Sequence, residues 1–157
     1  MVELDEIDRG ILQLLQVNAR HLTPGDMADQ LPVSRQTVRN RLQKLEDADV
    51  IEGYVPLINY REAGYPLRIR YTCTAPVSRR GELARAALEI PHIVAVDEML
   101  SARENLGILA VATDSEQIND ITKALVDLEL VIEREALLRH LHMQPFNHFG
   151  TGVVSDS

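Results

Sequence analysis

The spacing of apolar residues changes partway along this chain, and that change limits what it can fold into. Before Pro56 the apolar side chains recur at helical intervals: Ile7, Ile11, Leu14 and Leu15, then Met27, Ala28 and Leu31, then Val38, Leu42 and Leu45. From Leu67 to Thr74 they alternate instead, with Leu67, Ile69, Tyr71 and Cys73 set between Arg68, Arg70, Thr72 and Thr74, which predicts a strand with one buried face. Pro56, Gly64 and Pro66 bracket a stretch with no long apolar periodicity. The expected organisation is a helical domain over 1–55, a linker over 56–66, a mixed domain over 67–143 and a turn-rich tail over 144–157.

The helix starts are marked. Asp5 can cap the first helix, which should end near Asn18; Thr23-Pro24 reads as a cap followed by proline at the first helical position; and Ser34 can cap a third. The turn Leu31-Pro32-Val33 joins two short helices, a helix-turn-helix pattern. Val50 to Val55 is β-prone and suits a wing or an exit strand. Beyond the linker, Ser78 is placed to cap a helix carrying Leu83, Ala86, Ala87 and Ile90, and strands follow over Ile93–Leu100 and Leu106–Thr113 around a turn at Ser101–Asn105. Asp114 to Gln117 resembles a capping box before the stripe Ile118, Ile121, Leu125 and Leu128, and an extended segment runs from Leu130 to about Met143. The fold class is α+β, a (winged) helix-turn-helix domain followed by a ferredoxin-like β-α-β-β-α-β domain. Such a sheet has helices on one face only, so a second copy is expected on the other, as a homodimer or a higher even oligomer.

Charge then points to a partner. Ser34 to Lys44 carries Arg35, Arg39, Arg41 and Lys44 and no acid, in a chain of net charge -8. With Val38, Leu42 and Leu45 on one side of that helix, Arg35, Gln36, Arg39 and Asn40 point largely the other way. These side chains match base edges and phosphates of double-stranded DNA. Ser34, Thr37, Arg41 and Lys44 join the candidate contact set. The competing reading is a solvated helix face, and Arg41, which lies between the two faces, could instead pair within its own domain.

Composition excludes more than it selects. Acidic residues total 24 against 16 basic ones, and only Lys44 and Lys123 are lysine, a balance that resembles the surfaces of proteins from salt-loving organisms. At molar salt, screening acts within about 3 Å, so contacts with DNA would have to be close. No apolar run approaches the roughly 20 residues of a membrane span, and the acidic start is unlike a signal peptide, so a cytoplasmic protein is expected. The single cysteine, Cys73, sits at an apolar strand position and reads as a buried structural thiol. His140 and His142 would share a face if the last strand reached them, and with Met143 and His148 they suggest a metal-responsive alternative, although no full ligand set appears. A further alternative is an allosteric ligand-binding module without DNA binding. No phosphate loop and no nucleophile-base spacing is present, so neither catalysis nor a cofactor is expected.

Several short blocks then fall in one order: Leu4-Asp5, Asp8 and Ile11-Leu12; Asn18-Ala19-Arg20; Ala28, Leu31 and Val33-Ser34; Thr37-Val38, Arg41-Leu42 and Leu45-Glu46; Val50-Ile51 and Gly53-Tyr54. In that order and spacing the chain resembles the Lrp/AsnC, or feast/famine, family of prokaryotic transcription regulators, from Leu4 to about Met143. The resemblance implies a DNA-binding domain joined to a ferredoxin-like domain that dimerises and often binds an amino acid between dimers. It places an effector site at Ser101, Ala102, Arg103, Glu104 and Asn105. Two departures stand out. Pro32 occupies a turn where the family usually has glycine, and Ala102-Arg103-Glu104-Asn105 replaces the usual Gly-x-Tyr-Asp, losing a close-approach point and an acidic partner for a ligand ammonium.

Overall fold

The computed structural model describes residues 1–149. The chain divides into two compact units: Met1–Pro56 together with the described residues 142–149, and Leu57–Leu141.

In the first unit, α1 (Glu6–Asn18), α2 (Pro24–Gln30) and α3 (Arg35–Asp47) each begin at the expected cap. Asp5 accepts from the Asp8 N–H at 2.9 Å while Asp8 accepts from the Asp5 N–H at 3.2 Å. Thr23 and Asp26 make the same reciprocal pair on α2, and Ser34 Oγ accepts from the Thr37 N–H at 3.2 Å. Caps of this kind stabilise a helix by about 1 kcal/mol each, so three local signals mark where three helices begin. The core is then Ile11, Leu12, Leu14, Met27, Leu31, Val38 and Leu45, the apolar stripes of the three helices facing one another.

Pro32 fits its turn for a visible reason. Leu31 is extended (φ -124°, ψ 150°), the Val33 N–H donates to the Leu31 carbonyl at 2.8 Å, and none of these residues adopts positive φ, so the turn has no position that requires glycine. α3 closes on Asp49, in the left-handed region at φ 53°. The β-prone stretch Val50–Val55 forms no ladder. A strand needs a neighbour to accept its hydrogen bonds, and the described remainder of this unit holds helices, turns and irregular segments. The tail expected over 144–157 is described only to Phe149, and its last eight residues lie outside the described part. Within it the Phe146 N–H donates to Gln16 Oε1 at 2.8 Å, and Phe149 packs on the helical core.

In the second unit, β1 (Leu67–Thr74), α4 (Arg80–Leu88), β2 (Ile93–Glu98), β3 (Leu106–Ala112), α5 (Ser115–Asp127) and β4 (Val131–Leu137) give the expected β-α-β-β-α-β succession. The sheet order is β2-β3-β1-β4, with every neighbouring pair antiparallel. Ile69, Tyr71 and Cys73 of β1 and Leu106, Ile108, Ala110 and Ala112 of β3 meet Leu83, Ala84 and Ala87 of α4 and Ile121 and Leu125 of α5. The register sets Arg68, Arg70 and Thr72 on the opposite face beside Val111, Leu109 and Gly107.

Two expectations for this unit are corrected. Ser78 caps nothing, because it lies inside a 3-10 turn (Val77–Arg79) that leads into α4 without a side-chain cap. β4 stops at Leu137 rather than running to Met143: the Leu138 N–H reaches the Arg68 carbonyl, and β1 begins at Leu67, so no backbone is left to pair with. His140 and His142 therefore share no strand face.

Cys73 is fully buried against α4 and α5, and burial pushes its thiol up to about 11. At pH 8 the native protein should leave this thiol unmodified by a disulfide reagent while the denatured chain reacts at once. Fast labelling of the native protein would contradict the burial.

Candidate nucleic-acid interface

α3 presents two different sets of polar side chains. Val38 and Leu45 are fully buried beneath it, and Arg35, Gln36, Arg39 and Asn40 are exposed along the far side. Gln36 Nε2 donates to Asn40 Oδ1 at 3.0 Å, joining two amides one turn apart and leaving Gln36 Oε1 as an acceptor and Asn40 Nδ2 as a donor. Arg35 lies across the start of α2 at Gly25, where a Cβ would come within 2.8 Å of its guanidinium; glycine there gives the arginine its room. Ser34 Oγ lies 2.9 Å from Thr37 Oγ1, so both hydroxyls are engaged at the helix start. Arg39 makes no ion pair among the described residues.

Arg41 and Lys44 belong to the other set. Asp8 of α1 is fully buried, with Arg41 Nη1 3.2 Å from its Oδ1 and Lys44 Nζ 3.1 Å from its Oδ2, and Arg41 also binds Asp5. The Asp8 backbone N–H, and then the Arg41 guanidinium, hold the Asp5 carboxyl below its usual range, while Asp5 raises Arg41. Of the cationic run read from the sequence, Arg35 and Arg39 face outward, and Arg41 and Lys44 brace α3 against α1. The internal pairing weighed for Arg41 is the arrangement found, and Lys44 shares it. In sequence Asp8 stood out within the blocks that carry the family resemblance. Its reach to α3 depends on how the two helices cross.

The loop after β2 is cross-linked to its surroundings. Ser101 Oγ donates to the Arg103 carbonyl at 2.8 Å, Arg103 pairs with Glu133 and Glu104 with Arg134, both at 3.3 Å, and Ala102 is exposed. The Thr74 hydroxyl, and then Arg103, hold the Glu133 carboxyl below its usual range. Asn105 is fully buried, its Oδ1 accepting from the Ala75 N–H and its Nδ2 donating to the Ala75 carbonyl, both at 2.8 Å. It is a pin that mimics a strand pair. Asn105→Ala leaves both Ala75 groups buried and unsatisfied, with an expected loss of about 1–3 kcal/mol in a denaturant titration; an unchanged midpoint would mean that the pin holds nothing.

Among the described residues no group of three or more His, Cys, Asp or Glu is arranged to hold a metal ion, and no helix is long and apolar enough to cross a membrane.

Residues 4–52 match a family model described as winged helix-turn-helix DNA-binding. Over 121 residues the chain is 35% identical to the HTH-type transcriptional regulator LrpA of Pyrococcus horikoshii, covering 75% of this chain and 82% of that protein. The Leucine-responsive regulatory protein of Rhizobium meliloti is 42% identical over 66 residues, 42% of each chain. Among solved structures, a transcriptional regulator of Neisseria meningitidis in complex with L-Met matches with a TM-score of 0.76 at 22% identity, over 93% of this chain and 99% of that one, which is a likeness of fold. With a helix-turn-helix unit, a β-α-β-β-α-β unit and a relative of this identity and coverage, the chain belongs to the Lrp/AsnC family of DNA-binding transcription regulators.

Proposed function

We propose that this regulator reads a specific operator with the outer face of α3, where Arg35, Gln36, Arg39 and Asn40 meet base edges and phosphates and Ser34 and Thr37 approach the backbone. The observation that carries this reading is the division of polar groups on α3: the inward cations are held by Asp5 and Asp8, and the outward Arg39 makes no ion pair among the described residues. Arginine bidentate to guanine and Asn or Gln bidentate to adenine discriminate by about 1–3 kcal/mol per base pair. The helix-turn-helix unit is the DNA-binding domain and the β-α-β-β-α-β unit the regulatory domain. The protein works in the cytoplasm and performs no catalysis.

We infer that the chain acts as a homodimer or higher even oligomer. Arg70, Thr72 and Leu109 share a sheet face with neither helix over it, and a second copy is the partner that would bury it. Two copies on a two-fold axis would read half-sites about one helical turn apart. Selection from a random duplex pool with the full-length protein should enrich a pseudo-palindrome of that spacing. Recovery of no motif would overturn the reading.

An amino acid is the proposed effector, at Ser101–Asn105. The two ion pairs there are largely exposed on one side at least, and pairs of that kind contribute about 0–1 kcal/mol, so a zwitterion could exchange into them, its carboxylate on Arg103 and its ammonium on Glu104. The Neisseria structure, solved with L-Met, makes the class reasonable. Calorimetric titration of the full chain with the proteinogenic amino acids should find one that binds and loses affinity in Arg103→Gln. No heat from any of them would remove the effector.

A further inference from the structure

In the second unit, the turn at residues 59–65 and the segment after β4 enclose a cavity of about 470 Å³. Arg61, Arg68, Arg139 and His140 line it, with Tyr60 and Tyr65, and no carboxylate does. This is unusual for a chain of net charge -8. Elsewhere in the unit five of the six other arginines, Arg70, Arg79, Arg80, Arg103 and Arg134 but not Arg85, each sit in an ion pair. Arg61, Arg68 and Arg139 sit in none among the described residues. Three guanidiniums gathered around one hollow repel one another unless something negative lies between them.

The local backbone builds this arrangement. Turn hydrogen bonds from the Ala63 N–H to the Asn59 carbonyl (3.0 Å) and from the Tyr65 N–H to the Tyr60 carbonyl (2.7 Å) fold residues 59–65 tightly, and Gly64, at φ 94°, supplies the left-handed residue that the turn needs. Arg61 thereby returns toward Arg68 on β1. Pairing of Leu138 with Arg68 brings the following Arg139 to the same end of the sheet. The volume falls in the range of small-molecule sites, and guanidinium forks fit carboxylate or phosphate oxygens two at a time.

We propose that this cavity binds a small organic oxyanion, a carboxylate or phosphate held by Arg61, Arg68 and Arg139 with its carbon skeleton against Tyr60 and Tyr65. The site lies apart from the loop at Ser101–Asn105 and does not depend on that loop binding an amino acid. The test uses the full-length protein, with inorganic phosphate and succinate as probes, each compared with chloride at matched ionic strength by calorimetry and thermal unfolding. At least one probe should bind saturably and raise the unfolding midpoint, and Arg61→Gln and Arg139→Gln should each weaken it about tenfold or more. Absence of saturable binding by either probe, or binding unaltered in both variants, would overturn the proposal. If the variants instead lose affinity for random duplex DNA with a shallower salt dependence, the arginines serve a nucleic-acid backbone. If they change the oligomeric state, the cavity is a subunit contact. Either result would also overturn it.

Discussion

Asp8→Ala should destabilise the helix-turn-helix unit by about 2–3 kcal/mol, more than loss of a cap alone. The substitution removes three things together: the acceptor for the Asp5 N–H at the start of α1, and the two charge-assisted contacts with Arg41 and Lys44 on α3. Removing one partner of a buried pair typically costs 3–5 kcal/mol because a charge is stranded. Here the groups left behind are cations whose side chains remain 31% and 43% exposed, and Arg41 keeps Asp5, so water and that carboxylate recover part of that cost. Urea unfolding of the variant followed by helical circular dichroism checks the figure, and an unchanged midpoint would show that the α1–α3 bridge is ornamental. Acid acts on the same bridge. Asp5 has its carboxyl depressed in the folded state, so its contribution is complete at neutral pH and is lost as pH falls through the ordinary carboxylate range and below.

Arg39→Ala should lower affinity for the selected operator by about 10- to 100-fold, the equivalent of roughly 1–3 kcal/mol for a bidentate base contact. Binding to random duplex should change far less. The ratio of the two affinities matters more than either alone, because a phosphate contact weakens both equally and reduces the salt slope by about one. Arg41→Met provides the internal comparison. Its guanidinium is held by Asp5 and Asp8, so this variant should lose stability before it loses sequence preference. Equal losses from Arg39→Ala on operator and random DNA would reduce Arg39 to backbone contact.

Much of this was legible in the sequence because the decisive signals are local. Asp5, Thr23 and Ser34 sit at the helix starts they were expected to mark, and the alternation from Leu67 to Thr74 became β1 with the same ends. The misses are places where a distant neighbour decides. Val50–Val55 has strand propensity but no partner among the described residues, and β4 ends where β1 stops accepting its hydrogen bonds. Ser78 has the chemistry of a cap, yet Pro76 starts a 3-10 turn that takes it out of position. On α3 the spacing separated Val38 from Arg39 but could not separate Arg41 from Asn40, since helical angle alone gives an intermediate residue no side. Burial of Asp8, which fixes that side, is a tertiary fact. Asn105 entered the effector loop through the family resemblance alone, and its two bonds to Ala75 add a structural role that no sequence pattern signalled.

A structure of the full chain on its selected duplex should show α3 in the major groove, with Arg39 and Asn40 within hydrogen-bonding distance of base edges, Arg35 at a base or phosphate, and Arg41 and Lys44 still on Asp5 and Asp8. A complex in which α3 faces solvent, or in which Arg41 leaves Asp8 to read a base while Arg39 touches nothing, would contradict this reading.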